Sequence, residues 1–184
     1  MPDATGPAGE PDDGALIARW KGGDERAASQ LVQRHAAALG RFVASLGERE
    51  EVEEVVQDTF VRAFGSLDGF RAESSLRTWL FTIARNLLRD RVRSRRAQRE
   101  LVPIQEDHAA TSHDALDGAV AEETEARMQA AVARLSPMQR NVFTLRVVEG
   151  LSYKEIATVL ESTEGAARVH YHNAMRAIKE FLHD

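Results

Sequence analysis

The chain contains no cysteine, which excludes disulfides and thiolate metal sites and suits a reducing compartment. No apolar run approaches the roughly 20 residues that a membrane helix needs. Residues 1–14 are acidic and rich in proline and glycine, unlike the basic, apolar leader of an exported protein, and they read as a disordered tail. Strand-like alternation, internal repeats and phosphate-cradling glycine loops are also missing. There is no hydrolase nucleophile motif and no zinc-spaced His/Cys cluster. His170 and His172, two apart, point away from each other on a helix. The expectation is therefore no catalytic residue, no metal, no cofactor and no small-molecule substrate.

What is present suits a protein that buries cores. The 184 residues are 43% hydrophobic and 29% charged, ordinary globular usage, and the length accommodates two small helical domains. The net charge of −5 argues at first against a nucleic-acid binder. Its distribution argues otherwise. Between Leu76 and Arg99 eight arginines face the single Asp90, a local balance of +7, whereas Glu100 to Glu125 holds eight acids and no Lys or Arg. Such segregation reads as a basic working surface followed by an acidic linker, although a charge run can also be a solvated face.

Apolar residues recur at helical spacing along most of the chain. Leu16, Ile17 and Trp20 mark a short helix. Ala28, Leu31, Val32, His35, Leu39, Phe42, Val43 and Leu46 mark a long one that Gly47 ends. Val52, Val55, Val56, Thr59, Phe60, Ala63 and Phe64 form a cleaner stripe, broken at 65–69. A cap at Ser74 or Ser75 then opens a third long helix through Leu76, Trp79, Leu80, Ile83, Ala84, Leu87 and Leu88. From Leu101 to about Thr124 the sequence is acidic, polar and aperiodic, as a flexible connection would be.

Helical signals return in the last sixty residues. Ser136-Pro137-Met138-Gln139 is a capping box with proline in the first turn, and Ser152-Tyr153-Lys154-Glu155 is a second one after a helix-ending Gly150. A turn over 161–165 leads to a final helix whose buried stripe is Ala167, Tyr171, Ala174, Ile178 and Phe181 or Leu182. Short helix, tight turn and second helix make a helix-turn-helix. The expected fold is all-α, with a tail at 1–14, a helical bundle at 15–99, a flexible acidic linker at 100–124 and a helix-turn-helix domain at 125–184.

Three surfaces carry candidate chemistry. On the last helix Arg168, Val169, His172, Asn173 and Arg176 lie off the apolar stripe and are suited to base edges and phosphates in a major groove; the same pattern also fits a helical hairpin packed on its neighbours. On the third long helix Arg77, Phe81, Arg85 and Arg89 are spaced by four, so an aromatic interleaves with guanidinium groups that could hold phosphates and stack an unpaired base. Phe81 is equally compatible with the core, and Trp79 is expected there. On the helix before it, Glu54, Gln57, Asp58 and Val61 share an otherwise polar face with one exposed valine, either a docking surface or an acidic solvated face.

The stretch from Glu53 to Phe64 (EEVVQDTFVRAF) followed by Ser75 to Asn86 (SLRTWLFTIARN) resembles region 2 of the extracytoplasmic-function sigma factors. Leu135 to Arg140 (LSPMQR) and Gly150 to Ala157 (GLSYKEIA) resemble their region 4. The two motifs stand in that family's order and spacing. The resemblance implies a sigma factor that binds core RNA polymerase and directs promoter-specific initiation. Glu54, Gln57, Asp58, Val61 and Arg62 would bind the β′ clamp helices, with further contact to the β subunit. The loop with Phe70, Arg71 and Ser74, together with Arg77, Phe81, Arg85, Asn86, Arg89 and Arg93, would capture the opened minus-ten strand. Lys154 and the last helix would read the minus-35 duplex. The linker would thread toward the RNA exit path. An anti-sigma factor is an expected partner, and the expected location is the cytoplasm, with a membrane-held anti-sigma factor as one possibility.

The recognition helix departs from the family's common pattern. It reads Gly165-Ala166-Ala167-Arg168-Val169-His170-Tyr171-His172-Asn173, with histidine and asparagine at positions often basic, so the minus-35 sequence does not transfer from relatives. Two rivals to the sigma reading are a plain helix-turn-helix regulator and a sigma mimic that sequesters an anti-sigma factor. The first leaves the region 2 motif without a task. The second is at odds with Trp79, Asn86 and the arginines.

Overall fold

In the computed structural model, residues 11–70, 73–101 and 121–183 are described, and every regular element among them is helical. The expected all-α fold is therefore met. The greater part of the expected tail (1–10) and of the expected linker (102–120), and Arg71, lie outside the described residues.

Helix α1 spans Asp13–Lys21, starting inside the stretch expected to be tail. The reason is local: the Asp12 side chain accepts the Ala15 N–H at 2.7 Å, a standard N-cap. Asp13 then ties α1 to the next helix through Arg34 at 2.8 Å and the buried His35 at 2.9 Å. Helix α2, Glu25–Ser45, is capped by Asp24 and ends at Gly47, whose φ of +100° suits glycine. Helix α3 is Val52–Gly65, and a 3-10 turn at Leu67–Gly69 follows.

Helix α4, Leu76–Leu101, runs to the first residues of the expected linker. Of the two candidate caps Ser75 is the one used, its Oγ accepting the Thr78 N–H at 3.1 Å. Helix α5 is Ala121–Ala133 and starts ahead of the expected boundary at 125. Helices α6 (Pro137–Phe143) and α7 (Tyr153–Leu160) open with the two capping boxes read from the sequence, both complete. Helix α8 is Glu164–His183.

Between α6 and α7 the chain widens into a π-helical turn over Thr144–Val148, the Glu149 N–H reaching back five residues to the Thr144 carbonyl at 3.0 Å. The extra residue rotates the helix end, leaving Val147 and Val148 half exposed and turning Glu149 inward. Gly150, at φ +71°, lets the Leu151 N–H bond to the Leu145 carbonyl at 2.9 Å.

The two halves share one core. A continuous buried cluster runs from Leu16, Leu31 and Phe42 through Leu80 and Phe81 to Leu145, Ile156, Leu160 and Ala167. A smaller cluster of Ala131, Leu135, Phe143, Ala174 and Ile178 fixes α5 and α8 around α6. Burial of this kind stabilises by about 25 cal/mol per Å² of apolar surface, before the entropy of ordering the chain is set against it.

One sequence expectation is corrected here. Phe81 is fully buried, its ring 5.0 Å from that of Phe42, so it cannot stack an unpaired base. A residue four before Arg85 can share a face with it only approximately, and Phe81 rotates onto the same stripe as Leu80, Ala84 and Leu88. Trp79, half buried against Phe70 at 5.1 Å, packs as expected.

Candidate functional site

The docking face on α3 is present and is pre-arranged by α4. Val61 is 65% exposed, and Glu54, Gln57 and Arg62 are also exposed. Arg91 of α4 reaches across to Glu54 at 2.8 Å, Asp58 at 2.6 Å and Glu51 at 3.0 Å. Arg95, one turn later, takes Glu51 at 2.6 Å. Arg91 was counted in the sequence only as part of a basic run. Its partners follow from two facing stripes, acids at 51, 54 and 58 and arginines at 91 and 95, each at helical spacing. Beside this face α2 and α3 enclose an apolar groove of about 560 Å³, lined by Val32, Ala36, Val52, Val56, Phe60 and Phe64, with Gln57 and Val61 among its margins.

On α4 three of the candidate minus-ten arginines are engaged by carboxylates of the second half, while Arg93 stands in solvent. Arg77 pairs with Glu149, whose side chain is fully buried and is also held by Arg41 at 2.7 and 3.2 Å. Arg77 lies 5.7 Å from the Phe81 ring centre. Arg85 and Arg89 take the two oxygens of Glu161 at 3.1 and 2.7 Å. Asn86 is half buried, and its carboxamide oxygen is enclosed without a hydrogen-bond partner among the described residues. Phe70 is half buried, Ser74 sits at the loop end, and Arg93 is exposed near Asp90 at 3.8 Å.

Two carboxylates on this seam are held below their ordinary range. Burial pushes Glu155 up, but hydrogen bonds from Ser152, Thr78 and Ser75 outweigh it. For Glu161 the contact with the Arg85 guanidinium comes first and outweighs burial, with the charges of Arg85 and Arg89 and the Arg89 hydrogen bond adding to it. Both remain anionic at neutral pH.

The α7–α8 pair has the helix-turn-helix geometry read from the sequence. Arg168, Val169, His172 and Arg176 are exposed on α8, Asn173 is half buried, and Lys154 is exposed on α7. The guanidinium groups of Arg146 and Arg168 each lie 4.7 Å from the ring centre of Tyr153, which meets Tyr171 edge-on at 5.9 Å. Arg168 is thereby pre-set at the head of the helix. Asn173 accepts from Arg176 at 3.4 Å, so its carboxamide is not committed to the core.

Among the described residues no group of His, Asp and Glu is arranged to hold a metal ion, and no helix is long and apolar enough to cross a membrane.

Residues 27–98 match the family model described as Sigma-70 region 2, and residues 125–178 match that described as Sigma-70, region 4. The chain is 32% identical to the RNA polymerase sigma-H factor of Pseudomonas aeruginosa, covering 92% of this chain and 93% of that protein. It is 30% identical to the ECF RNA polymerase sigma-E factor of Salmonella typhimurium, covering 90% and 92%. Among solved structures it is similar to the sigma factor RpoE in complex with the anti-sigma factor NepR from Bartonella quintana, with a TM-score of 0.67 and 27% identity over 84% of this chain and 95% of that one.

Proposed function

The chain belongs to the extracytoplasmic-function group of the sigma-70 family of RNA polymerase sigma factors, and from that premise we propose how its surfaces divide the work of promoter-specific initiation. The face of α3 with Glu54, Gln57, Asp58, Val61 and Arg62 docks on the β′ clamp helices of core polymerase. Arg91 holds the two acids of that face in register, so little side-chain entropy is lost on docking. The end of the Phe70 to Ser75 loop and the α4 row of Arg77, Arg85, Asn86, Arg89 and Arg93 take the minus-ten strand once it is unpaired. Guanidinium groups suit this because they bind phosphate bidentately and keep their charge at any physiological pH.

Duplex reading falls to α8. Arg168 and Arg176 supply phosphate or guanine contacts, Asn173 has the donor and acceptor pair that matches adenine, Val169 can meet a thymine methyl, and Lys154 approaches the backbone from α7. His172 offers one imidazole where a guanidinium would offer a bidentate donor, so it adds less to the phosphate term than arginine would. We further propose an anti-sigma factor as a regulatory partner, since a relative of similar fold is solved with one, and a cytoplasmic site of action.

The observation that carries this reading is the pairing, in one chain, of a region 2 bundle with a helix-turn-helix whose recognition helix presents its polar face outward. The test is core polymerase plus the protein on genomic promoter fragments, with run-off transcripts mapped. New start sites are expected, and Gln57→Ala should weaken core binding without altering which starts are chosen. If core gains no promoter-specific start, the assignment of surfaces fails and the sigma-mimic role takes its place.

A further inference from the structure

The two arginines on the polar face of α8 are held differently. Arg176 has the Glu180 carboxylate 4.0 Å away and donates to Asn173 at 3.4 Å, both within its own helix. Arg168 faces Glu164 at 3.6 Å, two exposed groups one turn apart, and such a pair is worth little. What sets Arg168 apart is a ring on another helix. Its guanidinium carbon lies 4.7 Å from the ring centre of Tyr153, the first residue of α7, inside the roughly 6 Å at which an aromatic face attracts a cation.

The ring is itself braced. Tyr153 is half buried against the core and meets Tyr171 edge-on at 5.9 Å. Arg146, also 4.7 Å from the ring centre, is anchored in turn by donating to the Leu151 carbonyl at 2.8 Å. The series Leu151 carbonyl, Arg146, Tyr153, Arg168 thus ties the recognition helix to the π-helical turn before α7. A guanidinium held by a ring differs from one held by a carboxylate, because the ring engages its charge and leaves the in-plane N–H donors uncommitted. Arg168 can therefore give two parallel hydrogen bonds outward, with less side-chain freedom to lose when it does so.

Its place on the helix says what those donors meet. Arg168 is exposed in the second turn of α8, and it is the N-terminal part of a recognition helix that reaches base edges in the major groove. The base that matches a fixed pair of parallel donors there is guanine, through O6 and N7.

We propose that Tyr153 is a positioning residue for duplex reading: by holding the Arg168 guanidinium it makes that arginine the reader of one guanine in the minus-35 element rather than a mobile contact to phosphate. This rests on the reading that α8 enters the minus-35 duplex. Tyr153 acts through Arg168 and touches no base. The aromatic ring, not the hydroxyl, is the working part.

The test uses the full chain bound to core polymerase and a pool of duplexes, taken from a promoter mapped in the run-off assay, with the minus-35 element randomised. Bound duplexes are sequenced at several salt concentrations. The natural sequence should select guanine at one position, and Arg168→Ala should abolish that choice. Tyr153→Leu should weaken it about three- to tenfold, the range for one lost cation–π contact, at that position alone. Preferences elsewhere and the salt dependence of binding should be unchanged, because no cation has been removed. Tyr153→Phe should behave as the natural sequence does. Tyr153→Met fills the space with a flexible apolar chain and should match Tyr153→Leu; in each variant, preferences kept at the other positions show that the protein is folded.

A guanine preference that survives both Tyr153→Leu and Tyr153→Met overturns the proposal, as does failure of Tyr153→Phe to keep it. Uniform weakening by Arg168→Ala, with a shallower salt dependence and no change in base choice, makes Arg168 a phosphate contact and overturns it too. If Arg168→Ala and Asn173→Ala both leave binding and base choice unchanged, the assignment of α8 to the minus-35 duplex is what has failed.

Discussion

At the scale of single residues, burial decides between roles that spacing leaves open. Phe81 has the position of a base-stacking residue and the environment of a core one. Phe81→Ala should lower unfolding stability by about 3–5 kcal/mol, measured by urea denaturation, whereas Phe81→Leu should retain most of the stability together with single-strand binding. A large loss of DNA binding by a stable Phe81→Leu variant would restore the stacking role. Asp13 gives a prediction in pH. Burial raises its carboxyl, but the hydrogen bond and charge of His35, followed by those of Arg34, bring it below the ordinary value. A carboxylate depressed on folding contributes its full stabilisation above the unfolded value near pH 4 and loses it as pH falls through the lower, folded value. The stability advantage of the natural sequence over Asp13→Asn should therefore be flat from pH 7 to about pH 5 and shrink below pH 4 in a series of urea titrations.

At the scale of elements, local chemistry was legible and long-range pairing was not. The capping boxes at Ser136 and Ser152, the left-handed glycines at 47 and 150 and the apolar stripes of α2, α3, α4 and α8 could all be read because each depends on residues within a turn or two. The start of α1 was missed because a Pro- and Gly-rich stretch hid Asp12 as a cap. The π turn leaves no sequence mark of its own. Arg91 shows the intermediate case: its acid partners lie on the neighbouring helix at matching spacing, legible only once α3 and α4 are set side by side. Arg91→Ala should cost about 1.5–3 kcal/mol, the range for hydrogen bonds to charged groups, and a double-mutant cycle with Asp58→Asn should show coupling. For α7, Ser152→Ala should cost about 1 kcal/mol through the lost cap, with a further effect through Glu155, which Ser152 orients at 2.7 Å and which also reaches Thr78.

For the whole molecule, the shared core has a consequence for unfolding. Because Leu80 and Phe81 belong to the same buried cluster as Ile156 and Leu160, the two halves should unfold in one calorimetric transition at low salt. The variant with Glu149→Gln and Glu161→Gln should broaden or split it. None of this joint was visible in the sequence. A carboxylate 72 residues from its arginine has no period to betray it. The division into a region 2 bundle and a helix-turn-helix was readable; their mutual embrace was not.

Glu161 sits at the turn between α7 and α8 with φ +50°, the one described non-glycine residue in the left-handed region. Glycine there would relieve roughly 1 kcal/mol of backbone penalty and release Arg85 and Arg89 at the same stroke. A single codon thus sets two quantities against each other. Glycine would give a sturdier turn and a looser seam between the halves, so the strained glutamate trades backbone comfort for its pairs with Arg85 and Arg89.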